Sequence, residues 1–390
     1  MYNKIIIRYG EIGIKSKHTR RRFEHILKNN IEMALKRCNI EGTIEILHRR
    51  LILTVDSKNI NKSISILRRI PGIVSFSPSL ECNLNMGDMG KTSMKVFTEE
   101  IMKILKDKME QENNITFSVK TKRVKKEFSS TSMEINKDIG GHIIKEFESI
   151  KLRNDILKNI NLKVDLKNPK IHIGIEIIDR AYIFTETFKG VGGLPVGTQG
   201  KLLALLSDGI DSPVASYLMM KRGCNITFLH LKLTEEGLEK VKKLFSILNN
   251  YDPTSNLVIV DYRETLKRIE KALKEIGKER YTCLICKRTM LRVAEEYAKK
   301  LGCEGIIIGD NIGQVASQTL KNMVLINEGS SHLILRPLIG FDKVEIINIA
   351  KEIGTYNISV SKEIKCFAVP KYPITQGNID EVKKIEEIIK

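Results

Sequence analysis

An apolar run, Leu202-Leu203-Ala204-Leu205-Leu206, breaks into the polar turn Ser207-Asp208-Gly209-Ile210-Asp211-Ser212 and resumes as Pro213-Val214-Ala215-Ser216-Tyr217-Leu218-Met219-Met220. This pattern predicts a strand, a tight turn and a helix in that order. Such a joint makes an anion cradle: the first N–H groups of a helix have no internal acceptor, and the helix dipole favours negative charge there. Ser207, Gly209 and Ser212 keep the side chains at that point small. The stretch lacks the Gly-Lys-Ser/Thr ending of a Walker loop and the Gly-x-Gly-x-x-Gly of a dinucleotide fingerprint. Spacing alone leaves two readings open, a nucleotide phosphate site and an ordinary strand-turn-helix joint.

The surrounding pattern favours a particular fold class. From Lys201 onward, short Ile/Val/Leu runs at 202–206, 226–229, 257–260, 305–308 and 333–335 alternate with helical stretches, which predicts a mostly parallel sheet covered by helices on both faces. In such α/β sheets ligands bind beyond the carboxyl ends of the strands, where the turn after Leu206, His230 and Gly309-Asp310 all fall. Upstream, residues 1–75 read as strand, helix, strand, strand, helix and strand, a ferredoxin-like order. A second α+β unit, 76–180, has a helix over 91–110, a strand at 115–119, a helix over Ser132 to Glu148, and a hairpin of 171–177 and 181–184 around Asp179-Arg180. The Gly/Pro-rich segment 190–200 reads as a joint into the third part, 181–390.

The 390 residues carry a formal net charge of +18, with 42% hydrophobic and 29% charged residues, the balance of an ordinary water-soluble globule with a polyanionic partner. No apolar stretch approaches the ~18 residues of a membrane span, and Met1-Tyr2-Asn3-Lys4 runs directly into Ile5-Ile6-Ile7, so neither a span nor a signal peptide is expected and the cytoplasm is. Two basic clusters stand out: Lys15, Lys17, Arg20, Arg21 and Arg22, and Lys120, Lys122, Arg123, Lys125 and Lys126. Without interleaved planar side chains they suit phosphate and shape recognition of duplex RNA rather than base readout, or else form two solvated faces. Seven cysteines in such a chain do not suggest a disulfide framework. Cys283-x-x-Cys286 by itself reads as a redox dithiol, half of a zinc site, or chance.

Ser-x-Gly-x-Asp-Ser after an apolar strand resembles the PP-loop of ATP pyrophosphatases. The longer string from Ser207 to Ala215, with Lys221-Arg222-Gly223 after it, is similar to one branch, the tRNA 4-thiouridine synthetases or tRNA sulfurtransferases. The resemblance extends to Gly10-Glu11-Ile12-x-Ile14-Lys15, to Gly190-x-Gly192-Gly193-Leu194-Pro195-Val196-Gly197-Thr198-Gln199-Gly200, and to the stretch from Gly309-Asp310-Asn311 through Gln318-Thr319-Leu320. One departure sits in the loop itself, where Asp208 replaces the family's usual Gly. An Asp there is costly if the backbone needs positive φ, and its carboxylate repels a pyrophosphate unless it points away or meets Mg²⁺.

The resemblance implies a THUMP-type RNA-binding second unit and ATP-dependent replacement of the O4 of tRNA uridine 8 by sulfur, through an adenylated intermediate, giving 4-thiouridine. Asp211 would orient Mg²⁺-ATP; Leu205, Leu206, His230 and Leu231 would line the adenosine; Ser207, Gly209 and Ser212 would cradle phosphate; Lys287, Gly309 and Gln318 would complete the site. It also implies a homodimer in which one subunit's RNA-binding unit serves the other's active site. Cys366 matches a cysteine of the family's catalytic domain, and the residues to 390 include no rhodanese-like segment, so an outside sulfide or persulfide donor is expected and a thiamine-pathway role is not. For sulfur handling by Cys283, Cys286 and Cys366, the expectation is a [4Fe-4S] cluster with one open iron. Its alternatives are a Cys366 persulfide resolved by the pair, with thiolates favoured by Lys287 and Arg288, and a structural zinc. The competing functions are another PP-loop RNA-modifying ligase or amidase, and an RNA-binding protein without catalysis.

Overall fold

The computed structural model describes residues 2–107, 114–125, 127–154, 157–362 and 364–389, which form two compact units divided between Gly193 and Leu194. In the first unit the chain order is β1 (Lys4–Tyr9), α1 (Lys17–Arg37), β2 (Gly42–Leu47), β3 (Arg50–Val55), α2 (Ile60–Leu67) and β4 (Ile73–Cys82). It continues through α3 (Met86–Asp107), β5 (Asn114–Arg123), α4 (Ser132–Lys151), β6 (Asn161–Val164), β7 (Ile171–Ile177), β8 (Ala181–Phe184) and β9 (Phe188–Lys189).

One strand joins the two halves of this unit. Residues 73–79 of β4 lie antiparallel to β1, and residues 80–82 pair with β8, so the ferredoxin-like order β2-β3-β1-β4 runs on into β8-β7-β5-β6. Strand β4 thus crosses residue 75 unbroken, and β8 and β9 pair with it, which keeps residues 181–189 with the first unit. The helical periodicity has a direct outcome: Ile135, Ile139, Ile143 and Phe147, each four residues apart on α4, are fully buried in a cluster with Phe97 of α3 and Phe117 of β5. Thr131 starts α4 with a capping box, accepting from the N–H of Glu134 while the Glu134 carboxylate takes the N–H of Thr131.

The second unit contains β10 (Lys201–Leu205), α5 (Asp211–Lys221), β11 (Asn225–Lys232), α6 (Glu235–Leu248), β12 (Asn256–Asp261), α7 (Arg263–Glu275), α8 (Thr282–Leu301), β13 (Gly305–Ile307) and α9 (Leu320–Asn327). It ends with β14 (Leu333–Leu335), α10 (Lys343–Ile353), α11 (Tyr356–Ser359) and α12 (Ile379–Ile389). The five strands are all parallel, in the order β12-β11-β10-β13-β14. From β10 the chain moves outward to β11 and β12, then returns to the other side of β10 for β13 and β14. The strand order therefore reverses between β10 and β13, and a crevice opens at the carboxyl ends of strands on either side of such a point. Among the described residues no helix is long and apolar enough to cross a membrane.

Candidate functional site

Residues 206–210 connect β10 to α5 at that reversal. The turn is closed by its own serines: the N–H of Ser207 donates to Ser212 Oγ at 2.9 Å, and the two hydroxyls lie 3.0 Å apart. Ile210, at the N-cap of α5, makes no side-chain capping bond, so the helix is not capped by its own preceding side chain. Across the crevice, Gly309 follows β13. A Cβ there would stand 2.8 Å from the N of Ser212 and 3.0 Å from the carbonyl carbon of Asp211, so the close approach of this backbone to the start of α5 demands glycine. Leu205, Ser207, Gly209, Asp211, Ser212, Lys287, Gly309, Asp310 and Gln318 border one cavity of about 250 Å³.

The charges in this cavity are paired. Lys343, at the start of α10, holds Asp211 at 2.6 Å. Lys287 donates to Asp310 Oδ1 at 2.7 Å, the Gln318 amide reaches the same oxygen at 3.2 Å, and Arg336 stands 3.8 Å from Oδ2. Asp310 Oδ2, Gln318 Oε1 and the Nε and Nη2 of Arg336 are buried without a hydrogen-bond partner among the described residues, a concentration of unspent polar capacity at one place. Burial pulls the Arg336 guanidinium below its ordinary pKa against the pull of Asp310. Arg336 was not anticipated from sequence; its position just past β14, the fifth strand end of the sheet, was the available signal.

Leu205, Leu206, His230 and Leu231 border a neighbouring cavity of about 200 Å³, together with Ser207, Asp208, Ile364, Cys366 and Phe367. The departure at Asp208 proves benign. The only non-glycine residues with positive φ among those described are Asn39, His48 and Arg49, so this position is not left-handed, and the carboxylate lies 3.7 Å from the ammonium of buried Lys240.

Cys283 and Cys286 lie in the first turns of α8 and share an apolar cavity of about 540 Å³ with Tyr262, Val315, Ala368 and Cys366. Topology thus brings the three cysteines to one cavity, but not as a metal site. Among the described residues no group of three or more His, Cys, Asp or Glu side chains is placed to hold a metal ion, which overturns the expected [4Fe-4S] cluster and, with it, the zinc alternative. Burial raises the Cys283 thiol and pushes Cys286 up to about 12. Lys287, though paired with Asp310, still favours both thiolates, but burial outweighs it, and Arg288 is committed to Glu386 at 2.6 Å.

The basic clusters separate into two kinds. Lys17, Arg20 and Arg21 of α1 and Lys122 and Arg123 of β5 border one large basic hollow of about 1160 Å³. His48 and Arg49, in the β2–β3 turn, and Arg50 join them; sequence reading passed over these three because the turn lacks a Gly or Asn, although His48 and Arg49 take positive φ of 43° and 65°. Lys15, Arg22, Lys120 and Lys125 do not line the hollow. Lys125 is paired with Glu127 and Asp179 at 3.0 and 3.3 Å, Arg123 also ties down the carbonyls of Phe128 and Ser130, and Lys126 lies outside the described residues.

A parallel sheet with an anion cradle at its reversal point, following a basic α+β unit, defines a PP-loop nucleotide domain joined to an RNA-binding module. Comparison with known proteins agrees. Residues 197–390 match the family model described as Thiamine biosynthesis protein (ThiI), residues 4–77 the ThiI ferredoxin-like domain, and residues 91–186 the THUMP domain. The chain is 47% identical to the probable tRNA sulfurtransferase of Methanocaldococcus jannaschii, over 99% of this chain and 97% of that protein. It is 40% identical to the one of Thermococcus kodakarensis, over 99% and 96%. It is also similar to the crystal structure of a 4-thiouridine synthetase–RNA complex with bound ATP, with a TM-score of 0.84 and 33% identity, over 100% of this chain and 95% of that one. PH1313 from Pyrococcus horikoshii Ot3 matches with a TM-score of 0.69 and 30% identity, over 90% and 99%. The chain belongs to the ThiI-like tRNA sulfurtransferase family.

Proposed function

We propose that this chain is an enzyme that uses ATP to transfer sulfur to tRNA, forming 4-thiouridine, and that the modified base is uridine 8, adenylated at O4. The observation that carries the reading is the cradle at the β10/β13 reversal, with Gly309 pressed against the start of α5. Ser207, Gly209 and Ser212 take the phosphates, with Lys287 and Gln318 beside them, while Leu205, Leu206, His230 and Leu231 receive the adenosine. Adenylation is needed because a uracil oxygen is a poor leaving group, and AMP makes it one that sulfur can displace. Mg²⁺ neutralises charge on phosphate oxygens and is commonly held by one or two carboxylates plus the nucleotide rather than by a protein cage; Asp211 is the carboxylate at hand. Residues 1–193 bind the tRNA and residues 194–390 carry the chemistry, in a cytoplasmic homodimer.

Cys366 carries the sulfur. It is exposed, and it borders both the cavity of Leu205, Leu206 and His230 and the cavity of Cys283 and Cys286. A persulfide donor places a sulfane sulfur on Cys366, and its terminal sulfur attacks C4 of the adenylated base, so that a C–S bond forms and AMP leaves with the oxygen. Cys283, once deprotonated, attacks Cys366 Sγ, breaking the S–S bond. The thiouridine departs with the electron pair, and the resulting disulfide is reduced by an external dithiol. Replacing Cys366 by Ser should abolish thiouridine formation from ATP, tRNA and a persulfide donor while tRNA-dependent pyrophosphate release continues. Undiminished thiolation by that variant would refute the assignment.

A further inference from the structure

The segment leading to Cys366 is tied to the 207–212 loop through one buried lysine. Lys240, on α6, donates from its ammonium to the carbonyls of Ser359 and Lys362 at 2.9 and 2.8 Å and pairs with Asp208 at 3.7 Å. Two contacts reinforce the tie: Ser359 Oγ donates to the carbonyl of Gly209 at 3.1 Å, and Lys362 pairs with Glu236 at 2.9 Å. Just beyond, Ile364, Cys366 and Phe367 form part of the wall of the cavity that Leu205 to Asp208 also line. A buried ammonium is costly to desolvate. Its two carbonyl partners supply hydrogen bonds, and Asp208 supplies the only charge in this contact set.

We propose that Lys240 is a positioning residue that couples nucleotide occupancy of the 207–212 loop to the placement of the Cys366 thiol. The proposal rests on reading that loop as the ATP site. A triphosphate at the start of α5 repels the Asp208 carboxylate and attracts the Lys240 ammonium, so the pair has a different optimum with and without nucleotide. Because the same ammonium holds the Ser359 and Lys362 carbonyls, a change at the loop reaches the chain segment that carries Cys366. It also explains why an Asp is tolerated at position 208: there it is the counter-ion of a buried lysine.

The coupling is read as the rate of Cys366 alkylation by iodoacetamide, resolved by peptide, with and without α,β-methylene-ATP, whose α–β bridge cannot release pyrophosphate. Nucleotide binding is measured by calorimetry on the same samples. In the unaltered protein the nucleotide should change the Cys366 rate by about fivefold or more. Lys240→Met should still bind the nucleotide but lose that response, with thiolation kcat falling more than the KM for ATP rises, and Lys240→Arg should restore part of both. If Lys240→Met does not fold, Asp208→Asn, which keeps the two carbonyl bonds and removes the charge, should lose the response in its place. A folded Lys240→Met or Asp208→Asn protein that binds nucleotide and responds as the unaltered protein does overturns the proposal, as does nucleotide binding to the unaltered protein with no change at Cys366. Absence of nucleotide binding to the unaltered protein strikes the ATP reading itself.

Discussion

His230 ends its strand with a buried ring whose Nδ1 lies 2.9 Å from the carbonyl of Leu206. A carbonyl only accepts, so Nδ1 carries the hydrogen, and Nε2 is left as an acceptor with no partner among the described residues. Burial holds the ring below its ordinary value of 6.5 despite the Leu206 carbonyl and Asp208. The unfolded chain therefore binds this proton more readily, and stability is lost as pH falls from about 6.5 toward the folded value, with no contribution from this group above it. Replacing His230 by Asn, which can still donate to Leu206, should lessen the drop in melting temperature between pH 7 and pH 5. An unchanged drop would place the pH sensitivity elsewhere. The cysteines make the same point about environment: burial raises the thiols of both Cys283 and Cys286.

Two elements meet at Gly309, the end of β13 and the start of α5, and the contact is backbone against backbone. Neither partner can rotate away, so Gly309→Ala should cost about 1–3 kcal/mol of stability and lower ATP affinity through displacement of Ser212. Gly209, inside the loop, is different. A Cβ there would meet only Ser207 Oγ at an ordinary 3.6 Å and the residue lacks positive φ, so Gly209→Ala should change stability by no more than about 0.5 kcal/mol. Chemical denaturation of the two variants separates these outcomes, and equal losses would contradict the geometry.

Across the whole molecule, the net charge of +18 becomes informative only once its pairing is known. Arg21 and Lys122 border the large basic hollow, whereas Lys125 is already neutralised by Glu127 and Asp179. Arg21→Ala and Lys122→Ala should each weaken tRNA binding and reduce the slope of log affinity against log salt by about 1. Lys125→Ala should do neither, and calorimetric ATP binding should be untouched in all three. Equal salt slopes for Lys122→Ala and Lys125→Ala would mean that the hollow is not the phosphate-binding surface. A second structural use of charge lies nearby: Glu176 is buried between Arg8 and Arg50 at 2.6 and 2.9 Å, tying β1 and β3 to β7.

The strand-turn-helix at 202–220 and the helix over Ser132 to Glu148 were legible in the sequence because hydrophobic period and turn chemistry are local properties. The parallel sheet was legible for the same reason, since short apolar runs alternating with helices leave few other arrangements. What the sequence could not determine is what each polar side chain meets. Asp208 raised a question of strain and repulsion that Lys240, thirty-odd residues on, answers; Arg336 entered the Asp310 network only because β14 lies beside β13. Three cysteines suggested a cluster by count, but ligation depends on donor geometry, which arises from how α8 and the segment after α11 fold against each other. Residue type and spacing set what an element can be, while partner, burial and protonation belong to the tertiary structure, because Coulomb and desolvation energies depend on distances that local sequence does not contain.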